Sequence, residues 1–273
     1  MNDRIGIALW FDDNAREAME FYADVFPDSS VNHSNEVVTG GYLSGVQFTG
    51  INGGPVFKIN PSVSMMVICE TESEIDRIWN RLAENGSVLM PLGTYPWSER
   101  YGWLADRYGV NWQLYLGKLQ DTHGQKIVPT LMFGHDQFGN CSAALDYYAG
   151  IFKDFKLDGI LRYSEEGLKD HVQHAQFQAN GFLFMAMDGP DQKTSFNEGV
   201  SFVILCDSQA EIDAYWNAFT ARGTESMCGW CKDAYGVSWQ IIPRNLGDLL
   251  QQHPGAGAAL RKMKKIDIAG LKE

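Results

Sequence analysis

The sequence predicts an α+β protein in which two similar halves each contain two strand–helix–three-strand modules. Residues 102–116 read GWLADRYGVNWQLYL and residues 229–243 read GWCKDAYGVSWQIIP, at an offset of 127 residues. A self-match at a fixed offset indicates an internal repeat. The order of strand-like and helix-like patterns also recurs in the two halves. Hydrophobic residues make up 45% of the chain, which is enough apolar mass for a real core.

Charge and composition exclude several classes of partner. The 273 residues carry a formal net charge of −12 at pH 7, with a sequence pI of about 4.9. Because a basic stripe is missing, we expect no nucleic-acid partner and no binding to an anionic membrane. The chain opens directly on a strand-like pattern without a signal peptide or a long apolar run, so we expect a soluble, cytoplasmic protein. Five cysteines, an odd number, are typical of a reducing compartment rather than a disulfide framework.

The first module begins with an alternating apolar strand and an amphipathic helix. Ala18, Phe21, Tyr22 and Val25 fall at helical spacing and predict a buried helix face. Asn14 and Glu17 have the spacing of a capping box. Gly40-Gly41 and residues 52–55 are interpreted as turns. The predicted elements are a strand at 5–11, a helix at 15–26, and strands at 31–38, 42–49 and 56–59.

The second module repeats this order. Thr71 and Glu74 predict a capped helix start. The predicted elements are a strand at 64–69, a helix at 72–84, and strands at 87–92, 101–106 and 110–116.

The second half follows the same order, and a tail without a counterpart ends the chain. Ser208 and Glu211 repeat the Thr71–Glu74 capping box at an offset of 137. Strands are predicted at 128–133, 171–178, 182–187 and 201–206, and a helix at 141–152. The tail has helical apolar spacing, broken at Pro254-Gly255. We therefore divide the chain into a first domain at 1–117, a linker at 118–126, a second domain at 127–243 and a helical tail at 244–273.

Six segments carry a resemblance to a known family. They are LWFDDNAREAMEFYADVFPDS, NGGPVFKINPSVS, HAQFQANGFLFMAMDGP, FNEGVSFVILCDSQAEID, CGWCKDAYGVSWQIIP and MKKIDIAGL. In this order they resemble the vicinal-oxygen-chelate (glyoxalase/bleomycin-resistance) superfamily, and within it the PhnB-like proteins with a 3-demethylubiquinone-9 3-methyltransferase domain. The resemblance implies tandem glyoxalase-like domains, each of two βαβββ modules forming curved mixed sheets around a cleft. It also implies that the halves pair as a pseudo-dimer within one chain, with two non-identical clefts.

Superfamily enzymes hold a divalent metal with His, Gln or Glu side chains on strands, and this chain departs from that pattern. Gln113 and Gln240 stand where the resemblance places a glutamate on the last strand. The other ligand positions fall near Gly6 or Ile7, Ser64, Thr130 and Ser201. One glutamine with a serine does not make a three-ligand site. We expect no bound metal and no cofactor.

The resemblance implies a small-molecule cleft lined by amides and aromatic rings. A few amides in an aromatic-lined cleft suit an uncharged, partly polar ligand, aromatic compounds included. The alternative is that each glutamine fills the sheet interior and is satisfied by the backbone. His174 matches a histidine common in the family pattern, and a structural role is its alternative. The candidate ligand-binding residues are Trp10, Gln47, Trp112, Gln113, His174, Gln176, Trp239 and Gln240.

The sequence does not support a thiol redox activity or a methyltransferase activity. Cys228 and Cys231 are spaced like a redox motif, but they enter a strand rather than a helix N-terminus, so we interpret the spacing as chance. No glycine-rich turn between a strand and a helix suggests S-adenosylmethionine binding, so methyltransferase activity is not expected. The prediction is a metal-free small-molecule-binding protein, either monomeric or a homodimer. The alternatives are a metal-dependent lyase, isomerase or dioxygenase, a drug-sequestering resistance protein, and a regulatory partner whose clefts are filled.

Overall fold

The computed structural model describes residues 4–273, which form four βαβββ modules and a helical tail. Module 1 contains β1 (Ile5–Phe11), α1 (Ala15–Val25), β2 (Ser30–Ser34), β3 (Val38–Leu43) and β4 (Val46–Asn52). Module 2 contains β5 (Val63–Cys69), α2 (Glu72–Ala83), β6 (Ser87–Tyr95), β7 (Ser98–Ala105) and β8 (Asn111–Leu116). Module 3 contains β9 (Ile127–Phe133), α3 (Cys141–Ile151), β10 (Lys156–Arg162), β11 (Val172–Ala179) and β12 (Phe182–Asp188).

Module 4 contains β13 (Val200–Cys206), α4 (Gln209–Thr220), β14 (Thr224–Glu225), β15 (Trp230–Lys232) and β16 (Ser238–Pro243), and the tail holds α5 (Leu246–Gln252) and α6 (Ala256–Leu260). Short 3-10 turns cover Leu119–Thr122 and His135–Gln137. This architecture confirms the predicted α+β class and its module order. No helix within residues 4–273 combines the length and the apolar character needed to cross a membrane.

Each of the two eight-stranded sheets takes one module from each half of the chain. Sheet A has the order β14-β15-β16-β13-β1-β4-β3-β2, and sheet B has the order β10-β11-β12-β9-β5-β8-β7-β6. The halves meet where β1 pairs with β13 and β5 pairs with β9, both antiparallel. Residues 118–126, which we predict as a linker, connect β8 to β9, and both sheets continue across the two halves.

The helices pack on one face of each sheet and share a single apolar core. In α1 the predicted face is buried, including Ala18, Tyr22 and Val25. Thr71 and Ser208 cap α2 and α4 as predicted, because their hydroxyl oxygens accept from the backbone N–H groups of Glu74 and Glu211. The prediction that Asn14 caps α1 was wrong. Asn14 makes no capping bond, and the Oδ1 atom of Asn52 at the end of β4 accepts from the N–H of Ala15 at 2.8 Å.

Strand boundaries differ from prediction where glycine was read as a turn. Gly40 and Gly41 lie inside β3, and the β3–β4 turn falls at Ser44-Gly45, whose φ values are 46° and 78°. The predicted strand at 56–59 does not form. Strand β10 was missed because all seven of its residues are exposed, so no apolar alternation marks it.

A buried aspartate in each repeat ties one sheet to the helix layer of the other. Asp106, in the turn after β7, accepts from the Tyr22 hydroxyl of α1 at 2.7 Å and from Nε1 of Trp112 at 2.8 Å. Its other oxygen accepts from the backbone N–H groups of Tyr108 and Val110.

Asp233 repeats these four bonds with Tyr148, Trp239 and the N–H groups of Tyr235 and Val237. Burial raises the pKa of both aspartates, and the hydrogen bonds oppose that shift.

The second half is ten residues shorter than the first between its last helix and the repeated Gly-Trp. The offset falls from 137 at Ser208 to 127 at Trp230. The missing residues correspond to the long β6–β7 hairpin, and β14 is only two residues long. The tail takes that edge position instead. Cys228 and Gly229 donate their N–H groups to the carbonyl oxygens of Met263 and Lys264, both at 2.7 Å.

Candidate functional site

Each sheet has a second face turned away from the helices, here called its open face. Along β1, Ile5, Ile7 and Leu9 belong to the shared core, so Gly6, Ala8 and Trp10 point to the open face of sheet A. Strand alternation and register add residues from β4, β13, β15 and β16. The open face of sheet A is thus centred on Gly6, Ala8, Trp10, Gln47, Thr49, Ser201, Trp230, Ser238 and Gln240.

The centre of this face is made of small residues, and indole and amide side chains surround them. A Cβ atom added to Gly6 would lie 3.4 Å from Cδ of Gln47, so the amide packs directly over the glycine. The rings of Trp10 and Trp230 meet edge to face with centroids 6.0 Å apart. The Trp10 Nε1 atom donates to the carbonyl oxygen of Gly54 at 2.8 Å, which fixes the indole. The open face of sheet A is therefore a preorganised aromatic and amide surface.

Several polar groups on this face remain available for hydrogen bonding. Gln47 makes no hydrogen bond within residues 4–273. Gln240 uses Nε2 to donate to Oγ of Ser201 at 2.9 Å, and no group among the described residues donates to its Oε1. Ser238 is 1% exposed, and its Oγ has no partner among the described residues. A buried polar atom without a partner is unusual in a native protein.

The open face of sheet B has the same plan but its amide is used internally. Gln113 accepts from the Tyr101 hydroxyl through Oε1 and donates through Nε2 to Oγ of Ser64, both at 2.6 Å. Burial raises the pKa of Tyr101, which keeps this hydroxyl protonated. Apolar side chains close over the cluster, namely those of Met66, Ile68, Val128, Leu183 and Met185. Gln113 therefore fits the alternative in which the glutamine fills the sheet interior, because both ends of its amide are hydrogen-bonded within the protein.

Gln176 is also internally bonded, since Nε2 donates to the carbonyl oxygen of Asp121 at 2.9 Å. Three buried polar atoms of sheet B have no partner among the described residues, namely Oγ1 of Thr130, Nε1 of Trp103 and Oδ1 of Asn111. Aligning the two repeats explains why Gln113 accepts a hydrogen bond from a hydroxyl and Gln240 does not. Tyr101 of the first half aligns with Cys228 of the second, so Gln240 lacks the hydroxyl that occupies Gln113.

Trp112 and Trp239 do not line either open face. Both are buried in the helix-packed core, at 0% and 2% exposure, and donate to Asp106 and Asp233. The tryptophans beside the glutamines are Trp103 and Trp230, which the sequence analysis missed. Each lies directly across the hairpin from its glutamine, Trp103 opposite Gln113 and Trp230 opposite Gln240. The strand register across the Tyr-Gly-Val turn pairs each glutamine with the tryptophan of the preceding strand, and this pairing could have been predicted from the sequence.

His174 lies on β11 with its side chain on the open face of sheet B, partly buried and without a hydrogen bond among the described residues. Burial lowers the pKa of its imidazole. A ligand-binding role for His174 therefore stays a prediction, with a packing role as its alternative.

We expect His174 to make the protein less stable in mild acid. Because its folded pKa lies below the unfolded value of 6.5, the unfolded chain binds the proton more readily. Its contribution is therefore fully present above pH 6.5 and is lost as the pH falls below 6.5 toward the folded pKa. Urea unfolding at pH 7.5 and 5.5 should show a wild-type loss that exceeds the His174→Gln loss by up to about 1 kcal/mol. An equal loss in both proteins would contradict this, and His171→Gln serves as the control.

The Cys228–Cys231 pair has no thiolate character. Cys231 is buried on the helix-packed side of β15, and burial raises its pKa to about 12. Burial also raises the pKa of Cys228, whose Sγ donates to the carbonyl oxygen of Leu260 at 3.5 Å. Reactive cysteines need the opposite shift.

The residues at the centres of the open faces do not fit a divalent metal. Within residues 4–273, no three His, Cys, Asp or Glu side chains are grouped as metal ligands. Sheet B offers Ser64, Thr130 and Gln113, and the Oε1 atom of that glutamine already accepts from Tyr101. Sheet A offers the hydroxyls of Thr49, Ser201 and Ser238 and two neutral amides. Neutral hydroxyls and amides alone make weak sites for catalytic divalent ions.

The family model described as 3-demethylubiquinone-9 3-methyltransferase matches residues 3–115 and again 125–242. The chain belongs to this family. A solved structure described as a putative 3-demethylubiquinone-9 3-methyltransferase, PhnB protein, from Bacillus cereus is 39% identical. That match covers 41% of this chain and 98% of the other, with a TM-score of 0.39. The family match agrees with the resemblance noted in the sequence.

A more distant structure shares the fold of this chain. A glyoxalase I mutant from Zea mays matches 91% of this chain and 96% of its own, with 11% identity and a TM-score of 0.57. A protein from Pseudomonas aeruginosa is 26% identical over 40% of this chain and 93% of its own, with a TM-score of 0.35. A comparison with curated proteins gave no match. The maize likeness supports the tandem glyoxalase-like fold and nothing about activity.

Proposed function

We propose that this protein binds an uncharged aromatic molecule carrying a polar group on the open face of sheet A. Trp10 and Trp230 supply aromatic surface for the ring. Gln47, Oε1 of Gln240 and Oγ of Ser238 supply hydrogen-bonding groups that the protein does not use itself. Ligand sites usually combine apolar walls with a few such convergent polar groups.

The observation that carries this proposal is the contrast between Gln240 and Gln113. The two residues occupy the same position of the repeat, and each donates to a serine. Only Gln113 also accepts from a protein hydroxyl, that of Tyr101, which packs in a buried cluster with Met66, Leu183 and Met185. A glutamine beside the Trp230 ring whose Oε1 has no donor among the described residues suits recognition of a ligand donor group.

This proposal assigns binding and no reaction. Amides, hydroxyls and indoles dominate the centre of the face, and they orient a ligand without abstracting protons from it. The methyltransferase in the family's description is a separate activity, and fold alone does not transfer an activity between relatives. The four modules lack the strand, glycine-rich turn and helix that nucleotide-like cofactors use, as far as the described residues go.

A screen of small neutral aromatic compounds by thermal shift, followed by titration of the intrinsic tryptophan fluorescence, tests the proposal. Gln47→Leu and Gln240→Leu should each weaken a hit by about 2- to 12-fold, because each removes one ligand hydrogen bond. Trp230→Ala should weaken it further. Gln113→Leu and Trp103→Ala are the matched controls on sheet B and should leave the affinity unchanged.

The reverse pattern would move the site to sheet B. The unpartnered Thr130 and Trp103 atoms are the observation that favours that alternative. Loss of binding in Gln113→Leu with unchanged binding in Gln240→Leu would refute our assignment. The unfolding midpoint of each variant must be measured first, so that weakened folding is not mistaken for weakened binding.

A further inference from the structure

The long β6–β7 hairpin, present only in the first half, forms one wall of a cavity. This cavity has a volume of about 520 Å³ and lies between the hairpin tip and the end of β8. Its side chains are aromatic and charged, and they include Tyr95, Trp97, Tyr115, Glu70, Glu99 and Lys118. None of these residues belongs to the open face of sheet A. The ten-residue difference between the halves means that sheet A has no corresponding cavity wall.

Trp97 is held in place while much of its ring remains exposed. Its side chain lies at the hairpin tip, and the residue is 50% exposed. Tyr95 stacks on it, with centroids 5.2 Å apart and the planes inclined by 25°. Tyr101 meets it edge to face at 5.7 Å, and the Tyr115 hydroxyl donates to its carbonyl oxygen at 3.3 Å. An exposed tryptophan fixed by three tyrosines is preorganised for a ligand that can lie against an indole.

The charges around this indole favour a cation. Glu70 and Glu99 line the cavity with two carboxylates, against the single ammonium group of Lys118. Glu70 is held by the N–H of Leu119, which donates to its Oε1 at 3.1 Å. Aromatic faces attract organic cations through the ring quadrupole, and nearby carboxylates add a Coulombic attraction. The chain's net charge of −12 raises the local concentration of cations near the surface.

We propose that this cavity binds an organic ammonium ion, with the methylated or alkylated nitrogen against Trp97 and within reach of Glu70 and Glu99. The site is separate from the open face of sheet A and prefers a different class of ligand. Its volume suits a small ammonium compound rather than a macromolecular surface. Alkyl groups on the nitrogen favour binding, because they reduce the desolvation that a bare ammonium would require.

Titration of the full-length protein with phenyltrimethylammonium tests this, using tryptophan fluorescence and ligand-observed NMR. Neutral tert-butylbenzene has nearly the same shape and should bind about tenfold more weakly, and benzenesulfonate should not bind. Trp97→Ala should weaken phenyltrimethylammonium about tenfold, and Glu99→Gln about two- to threefold. Lys118→Gln should tighten it. Trp230→Ala, on the other sheet, should leave it unchanged.

Three results would overturn the proposal. They are equal affinity for the neutral isostere, tighter binding of the anion, or unchanged affinity in Trp97→Ala. Because Trp97 is half exposed, its alanine variant should keep the wild-type unfolding midpoint, which separates loss of the site from loss of the fold. Since Trp97, Glu99 and Lys118 all line the cavity beside sheet B, failure of their variants leaves the proposed function on sheet A intact.

Discussion

Replacing Asp106 with alanine should lower the free energy of unfolding by about 4 kcal/mol. The carboxylate accepts four hydrogen bonds at 5% exposure, so the substitution strands the Tyr22 hydroxyl, the Trp112 indole and two backbone N–H groups in the core. Each stranded donor costs about 1–3 kcal/mol, and partial relaxation reduces the sum. Urea denaturation followed by tryptophan fluorescence measures the change.

The repeat supplies a matched second measurement. Asp233→Ala removes the same four bonds from the second half and should have a similar effect. Tyr22→Phe removes a single donor and should cost only about 1 kcal/mol. Combining it with Asp106→Ala should give less than the sum, because the two residues share one bond. An Asp106→Ala cost below that of Tyr22→Phe would show that the carboxylate does not stabilise the fold.

The repeat in the sequence draws attention to the aspartates and tryptophans of this hydrogen-bond network, but it does not reveal what they do. The aspartate three residues after Trp103 and Trp230 recurs, as do Trp112 and Trp239, and both features are visible in the two repeated segments. Nothing local indicates that a tyrosine from another module completes the network. Such a contact joins Tyr22 to Asp106 across 84 positions of the chain, and only the packing of α1 against the turn after β7 creates it.

Assigning the tryptophans failed for a related reason. Each repeat places one tryptophan on each face of its hairpin, so composition and alternation alone do not say which face is open. The register decides, because Trp103 pairs with Gln113 while Leu104 pairs with Trp112. The core tryptophan then follows from its buried acceptor, Asp106.

The pairing of modules across the halves was implied only by the family resemblance. Sheet A joins β1 to β13, elements almost 200 residues apart, and hydrophobic periodicity carries no information on such distant partners. The free oxygen of Gln240 was more accessible to prediction. Aligning the repeats places Cys228 against Tyr101, which indicates that the two glutamines differ in their partners. Which of them is occupied became clear only from the Tyr101 hydroxyl.

The tail shows how the second half tolerates its shorter hairpin. Ile266 and Leu271 are fully buried, and Leu249 is 3% exposed in the same cluster. A Cβ atom on Gly229 would lie 3.0 Å from Cδ1 of Ile266, so the tail packs directly on the backbone leading into β15. In the first half, strand β6 occupies this position beside β7. The tail is therefore part of the sheet A structure and not an appendage.

Deleting residues 245–273 should therefore lower the free energy of unfolding by at least about 3 kcal/mol. The deletion removes three large buried apolar side chains, and burial of each contributes about 1.5–3 kcal/mol. The conformational entropy of the deleted chain offsets part of that sum. Ile266→Ala keeps the chain length and should lower the free energy of unfolding by about 2–5 kcal/mol. In both variants Cys228 should react faster with a thiol reagent, because its Sγ bond to Leu260 and its N–H bond to Met263 are lost or weakened. Leu250→Ala, an exposed position of the same tail, is the control and should change neither quantity appreciably. If the truncated protein unfolds at the wild-type urea concentration with unchanged Cys228 reactivity, the tail does not replace the missing strand, and the edge of sheet A must be stable with β14 alone.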